Sequence, residues 1–245
     1  MICHAPPAFL PVSWVLALFL FLCQRRASKY PDRKPLMQDV KCRTREVYER
    51  HAIAWDAERG RDLFEKVWLD RLLSVTRPGD TILDVGCGSG EPIARYLIER
   101  GRNVCGIDFA APMLAIAQRR FPDARWIEAD MRHLDLGQAF SAVIAWDSFF
   151  HLDADEQRLV IPRLCRHVAP GGALLVTVGP SEGEVLGTVE GEAVYHASLS
   201  IDEYERRFSD AGLTIADFVA NDPRCGDHSV LLAVADLRDA LRVIG

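Results

Sequence analysis

The sequence predicts an α/β domain in which a mostly parallel, doubly wound sheet carries helices on both faces. Three observations lead there. From Thr81 onward, short apolar runs alternate with helix-length amphipathic runs. The first of those strand-like runs enters a glycine-rich turn and then a helix, and the last two apolar runs are joined by a short polar turn instead of a crossover helix.

Between Arg43 and Leu73, apolar and aromatic residues recur at helical spacing (Val47, Tyr48, His51, Ala52, Trp55, then Phe64, Val67, Trp68, Leu72), with a break at Gly60. Two helices are predicted. Arg77-Pro78-Gly79-Asp80 is a turn, because proline presets φ and glycine accepts positive φ. Thr81–Val85 then reads as a buried strand, 91–100 as a helix stopped by Gly101, and Asn103–Asp108 as a second strand. Ala111–Arg120 is predicted helical, Arg125–Glu128 is a short third strand and 141–146 a fourth. Residues 154–168 form a helix that Pro162 should kink, since proline removes a backbone donor. Pro170-Gly171-Gly172 turns the chain into a strand at 173–178. The glycine-rich, acidic stretch 180–198 is expected to be a flexible insertion, followed by a helix at 200–211 and the apolar runs 213–220 and 229–235.

Length and composition fit one α/β domain, with 49% apolar and 26% charged residues excluding a disordered or fibrous chain. The net charge of −6 is unevenly spread: residues 1–36 hold Arg25, Arg26, Lys29, Arg33 and Lys34 against Asp32, so the rest of the chain carries −10. Such an acidic body repels a polyphosphate at long range, which argues against nucleic-acid binding and favours a small molecule or a basic partner. The seven cysteines include no C-x-x-C pair, a pattern of reduced cytoplasmic thiols more than of a disulfide framework or a zinc site. No metal site is expected.

From Ala5 to Gln24 there is no charged residue. One reading is a membrane anchor, since about 20 helical residues span a bilayer core; the basic flank would then keep the following domain on the cytoplasmic side. The other is that the native chain starts at Met37 and that 1–36 is an upstream extension. Both divide the chain into 1–36 and a domain at 37–245, and both leave that domain cytoplasmic.

Ile82-Leu83-Asp84-Val85-Gly86-Cys87-Gly88-Ser89-Gly90-Glu91 is the strongest signal. Glycines let the backbone turn sharply and let a ligand approach the main chain, and in open α/β sheets ligands bind beyond the carboxyl ends of the strands. The spacing is G-x-G-x-G, not the G-x-G-x-x-G of dinucleotide binders, and Asp84 stands two residues before the first glycine. A pyrophosphate needs backbone amides without a nearby carboxylate; an acid here suits a cationic ligand. Asp108, at the end of the second strand, is placed to accept from ribose hydroxyls.

At these residues the chain resembles the class I S-adenosylmethionine-dependent methyltransferases, most closely the small-molecule branch with a single methyltransferase domain, over about residues 43–235. The resemblance implies a Rossmann-like, seven-stranded sheet with a final antiparallel strand and S-adenosyl-L-methionine as cofactor. It makes Asp84, Gly86, Cys87, Gly88 and Gly90 the first motif, Asp108 the ribose acid, and Asp130 with Met131 the adenine contact. Phe109 and Met113 could cover the adenine face, though core packing explains them equally well.

The fourth strand ends in Ala145-Trp146-Asp147-Ser148-Phe149-Phe150-His151. By the same topology Trp146 borders the cofactor, and Asp147 and His151 face the methionine amine or the acceptor. His151 is the first candidate for a general base, against the alternative that it only packs on its loop. The family's nucleobase and glutamine methylating members carry Asn/Asp-Pro-Pro-Tyr/Phe here and this chain does not, which points to a small-molecule acceptor. Tyr195 and His196 could reach the pocket as a lid; Tyr48 and Trp55 could close it from the N-terminal helix, or simply pack on the sheet. The rivals are a nicotinamide-dependent oxidoreductase and a non-catalytic nucleoside-cofactor-binding module.

Overall fold

The computed structural model describes residues 33–236. The apolar stretch Ala5 to Gln24 lies outside the described residues, and among the described residues no helix is long and apolar enough to cross a membrane. Helix α1, Arg33–Glu58, is followed by α2, Lys66–Leu73. Two helices were expected, but α1 begins earlier, ahead of the boundary at Met37. Its buried Met37, Val40, Thr44, Val47 and Ala52 recur at three to five residues, one face of a helix.

The alternating segment follows as β1 (Thr81–Val85), α3 (Ile93–Glu99), β2 (Asn103–Asp108), α4 (Ala111–Arg120), β3 (Arg125–Glu128), β4 (Phe140–Ala145) and α5 (Ala154–Arg166). Asp153 and Glu156 form a capping box at the start of α5, and the helix runs on through Pro162. Next come β5 (Val168–Val178), β6 (Gly183–Val189), β7 (Glu192–Ser198), α6 (Ile201–Asp210), β8 (Leu213–Asp222) and β9 (His228–Ala235).

Seven strands form one sheet in the order β3-β2-β1-β4-β5-β9-β8. All pairs are parallel except those of β9, which runs antiparallel to both β5 and β8. The final antiparallel strand therefore inserts between its neighbours. Alternate strand residues feed two apolar layers. Leu83, Val85, Ile107, Val143 and Leu174 pack towards α5 and α6, while Ile82, Val104, Ile144 and Leu175 pack towards α2 and α3.

Two expectations are corrected. Residues 168–172 are not a turn preceding β5 but its bulged beginning: the register jumps from Phe140↔Val168 to Ala142↔Ala173. The stretch 180–198 is not a flexible insertion but mostly a hairpin, β6 paired antiparallel with β7. Its turn residues Glu190 (φ 49°) and Gly191 (φ 78°) both have positive φ, the conformation that matches strand twist in a two-residue hairpin loop. The glycine count of this stretch obscured that pattern. The hairpin packs on α1 through Tyr195 and Ala197 against Met37 and Val40, and through Val189 and Val194 against Val47.

Candidate functional site

Parallel pairing puts the carboxyl ends of β1, β2 and β4 side by side, with Asp84 in register with both Gly106 and Ile144. Strand order reverses at β1, the topological position where open α/β sheets hold their ligands. A solvent-open cleft lies there. It gathers Asp84, Gly86, Cys87, Gly88, Asp108, Phe109, Met113, Met131, Trp146, Asp147 and His151 around one space, roofed by Tyr48 and Trp55 from α1.

The glycine loop is shaped by its neighbours. Gly86 (φ 76°) could carry no side chain, because a Cβ would meet Ser148 Cβ at 2.2 Å. Ser148 is held there by donating to the Val85 carbonyl at 2.6 Å. The Asp108 carboxylate accepts from Gly88 N–H at 2.9 Å and Ala110 N–H at 2.8 Å, which locks the loop to the end of β2. Burial pushes Asp108 up to about 6 against the pull of those amides. Asp84, 3% exposed, is pushed up to about 7 by burial and then by the charge of Asp108. Two neighbouring buried carboxyls make the floor a good host for positive charge.

On the opposite wall, His151 Nδ1 donates to the Tyr195 carbonyl at 2.9 Å, so its Nε2 accepts from the Tyr48 hydroxyl at 3.0 Å. Burial depresses His151, keeping the ring neutral. His196 meets it edge-to-face, 4.9 Å between ring centroids, and burial and then His151 push its pKa down to about 3. Asp147 sits in the left-handed region (φ 50°), its N–H donating to Thr177 Oγ1 at 2.8 Å.

Four expected positions fall elsewhere. Asp130 does not line the cleft; its carboxylate accepts the guanidinium of Arg132 and caps the following turn. Burial would raise it, but Arg132 holds it below the usual carboxylate range. Gly90 faces Phe121 and Trp126 instead, where a Cβ would come within 3.0–3.2 Å of their rings. The Tyr195 ring is buried against Met37 and Val40, so only its carbonyl serves the site, and His196 reaches the cleft wall only through His151 and Phe150.

The sequence reading missed a group behind the cleft. Arg59, which lines it, donates to Glu65 Oε1 at 2.6 Å. His228, at the start of β9, points at Asp147, with Nε2 3.0 Å from Oδ1. Glu91, Ser89, Ile93 and Ser148 also line the space. Arg59 lay in a segment read only as a helix break, and His228 in one read only as a hairpin connection. Neither has a local signal, since each is defined by a partner distant in the chain or across a loop. Among the described residues no group of three His, Cys, Asp or Glu is arranged to hold a metal ion.

An open α/β sheet with a glycine loop, two strand-end acids and a roofing helix defines a ligand-binding domain of nucleotide type. Residues 82–172 match the family described as the methyltransferase domain. A dTDP-3-amino-3,6-dideoxy-alpha-D-glucopyranose N,N-dimethyltransferase of Streptomyces fradiae is 41% identical over 98 residues, covering 39% of this chain and 38% of that protein. A dTDP-3-amino-3,4,6-trideoxy-alpha-D-glucopyranose N,N-dimethyltransferase of Streptomyces venezuelae is 31% identical over 160 residues, covering 60% and 66%. The chain thus spans less than two thirds of the length of these relatives. In fold it is similar to a Micromonospora echinaspora amino pentose methyltransferase solved with S-adenosylmethionine bound (TM-score 0.58, 24% identity, 77% and 96% of the two chains). It is also similar to the CcbJ methyltransferase of Streptomyces caelestis (TM-score 0.63, 18% identity, 78% and 98%). Residues 82–172 thus carry a methyltransferase domain, and the fold around them is one shared with S-adenosylmethionine-dependent methyltransferases.

Proposed function

We propose that this domain transfers the methyl group of S-adenosylmethionine to an amine of a small molecule, releasing S-adenosylhomocysteine. The observation that carries the reading is the pair Asp84 and Asp108, buried and raised beside a glycine loop that tolerates no Cβ at Gly86. A cationic nucleoside suits that lining; the pyrophosphate of a dinucleotide does not. In this reading Asp108 accepts from the ribose, Phe109, Met113 and Met131 flank the adenine, and Asp84, Asp147 and Arg59 meet the amino-acid end. The names of the two Streptomyces relatives, both N,N-dimethyltransferases of amino sugars, support an amine acceptor.

The bound cofactor supplies a methyl group made electrophilic by a sulfonium whose sulfur keeps the electron pair of the broken bond. The protein's own part is to orient, to exclude water and to take a proton from the acceptor. Tyr48 and Trp55 close the cleft. The neutral Nε2 of His151 is reached through the Tyr48 hydroxyl, which gives its proton to the ring as it takes one from the acceptor nitrogen. We assign the domain to residues 37–245, a boundary that falls within α1, and the cytoplasm as its location, where Cys87, Cys105, Cys165 and Cys225 stay reduced.

Calorimetric titration with S-adenosylhomocysteine and separately with NAD tests the cofactor. Binding of NAD alone overturns the reading. Turnover of S-adenosylmethionine against a panel of free and nucleotide-linked amino sugars, hydroxy acids and thiols tests the acceptor class, and methylation confined to oxygen or sulfur would overturn the amine assignment.

A further inference from the structure

His228 is not part of the cleft lining, yet it contacts two residues that are, Asp147 and Trp146. Its Nδ1 donates to the Cys225 carbonyl at 2.8 Å, and its Nε2 lies 3.0 and 3.3 Å from the two oxygens of Asp147. With both nitrogens facing acceptors, the ring is an imidazolium. It is stacked on Phe64 (centroids 5.3 Å apart, 25° between planes) and tilted on Trp146 (5.5 Å, 31°), so the ring is packed against the residue that precedes Asp147 as well as paired with Asp147 itself.

The backbone of Asp147 is in a conformation that costs a non-glycine residue about 1–3 kcal/mol and persists only where surrounding contacts impose it. Two buried side-chain atoms in this neighbourhood, Trp146 Nε1 and Glu65 Oε2, have no hydrogen-bond partner among the described residues, and Asp147 Oδ1 meets only the His228 ring. Buried polar atoms left without a partner are costly, and of these groups Trp146 and Asp147 line the cleft, where an unpartnered indole N–H and a carboxylate are available to a polar ligand end. His228 is itself fixed from behind. Asp222 of β8, in register with His228, accepts from Trp68 Nε1 at 2.9 Å and from the Arg224 guanidinium at 2.8–2.9 Å.

We propose that His228 is a positioning residue for the cofactor, holding the Asp147 carboxylate and the Trp146 indole in the orientation that the amino-acid end of S-adenosylmethionine meets. This rests on reading the cleft as the cofactor site. The C-terminal hairpin, which contributes no residue to the cleft lining, thereby sets the polarity of the cleft. Burial opposes the charge on His228, but Asp147, the Cys225 carbonyl and Glu65 outweigh it and raise the ring to about 9; the other groups facing this cluster are the Arg59 guanidinium and the titratable but neutral His151.

The test compares His228→Phe, which keeps the stacked ring and removes both donors, with His228→Gln, which keeps a neutral donor, by calorimetric titration of S-adenosylhomocysteine. Phe is expected to weaken binding tenfold or more and Gln to recover most of that loss. Equal affinity of Phe and wild type, or equal losses in Phe and Gln, overturns the proposal while leaving the cofactor reading intact. Failure of the wild type to bind overturns both. In an Asp147→Asn background the Phe substitution should add less than a further twofold loss; full additivity shows that His228 does not act through Asp147. Should Phe not fold, the ¹⁵N resonances of the His228 ring in the wild type decide: both nitrogens protonated at pH 7.5, with a shift on adding S-adenosylhomocysteine, support it, and a neutral ring or an unmoved signal overturns it.

Discussion

The hydroxyl of Tyr48 and the Nε2 of His151 stand 3.0 Å apart, although 103 residues separate them in the chain. Because Nδ1 of the same ring is committed to the Tyr195 carbonyl, the direction of that hydrogen bond is determined, with Tyr48 donating. A helix, a loop after β4 and a hairpin strand thus meet at one proton-accepting nitrogen.

Replacing His151 with Asn removes that nitrogen's basicity. The expected result is a fall in kcat of about 10²-fold or more, with S-adenosylhomocysteine affinity changed by less than about threefold. Tyr48→Phe should cost less, because it leaves Nε2 open to the acceptor. Burial depresses His151, and the base works only when neutral, so the acid limb of kcat should lie below the ordinary histidine value of 6.5. Steady-state rates from pH 5 to 9 would check the order of the two variants and the position of the limb.

Asp108 and Asp130 should separate in binding measurements. Asp108→Ala removes a charged acceptor from the ribose and is expected to weaken S-adenosylhomocysteine by about 1.5–3 kcal/mol. The Asp130 carboxylate is already committed to Arg132, so Asp130→Ala should lose less than about tenfold, which is about 1.4 kcal/mol. Isothermal calorimetry on both variants decides, and a larger loss at Asp130 would show that the ligand displaces Arg132.

Asp84 and Asp108 predict a pH effect with a definite sign. A carboxyl whose folded pKa is raised stabilises the fold least once it must ionise, so the ligand-free protein should lose stability as pH rises from about 4 through about 7. A cationic ligand offsets that cost. The rise in Tm produced by S-adenosylmethionine should therefore be larger at pH 8 than at pH 6, and larger than that produced by neutral-sulfur S-adenosylhomocysteine. Titration near pH 6.5 in buffers of different ionisation enthalpy should report proton release.

Gly187 on β6 lies under the His196 ring, and a Cβ there would meet the ring carbon at 2.7 Å. Gly187→Ala should push that ring towards Phe150 and His151, raising the acceptor KM several-fold while leaving S-adenosylhomocysteine affinity unchanged. Kinetics with each substrate varied in turn would separate the two effects. An unchanged acceptor KM would remove His196 from the acceptor side.

Much of the cleft floor was legible because its signals are local. Asp84, Gly86, Gly88 and Asp108 each follow directly from their own strands, and β1, β2, α4 and β3 begin and end where periodicity and glycine punctuation place them. The opposite wall was not. Glycine content at 180–198 suggested a loose lid, yet the Glu190-Gly191 turn and the alternation around it build a hairpin whose Tyr195 ring is buried under α1. Asp130, expected at the adenine, instead holds Arg132, two residues on, whose guanidinium folds back onto its carboxylate.

The sequence by itself determined the order of strands and helices, the glycine loop and the acids at the strand ends, since these depend on near neighbours and on the periodicity of apolar residues. Only the tertiary structure decided that His151 is neutral and addressed by Tyr48, that Arg59 is tied to Glu65, and that His228, 81 residues beyond Asp147, is the group that holds it. Hydrogen bonds between side chains distant in the chain leave no pattern along it; they exist only once parallel pairing brings strand ends together and the C-terminal hairpin closes behind them.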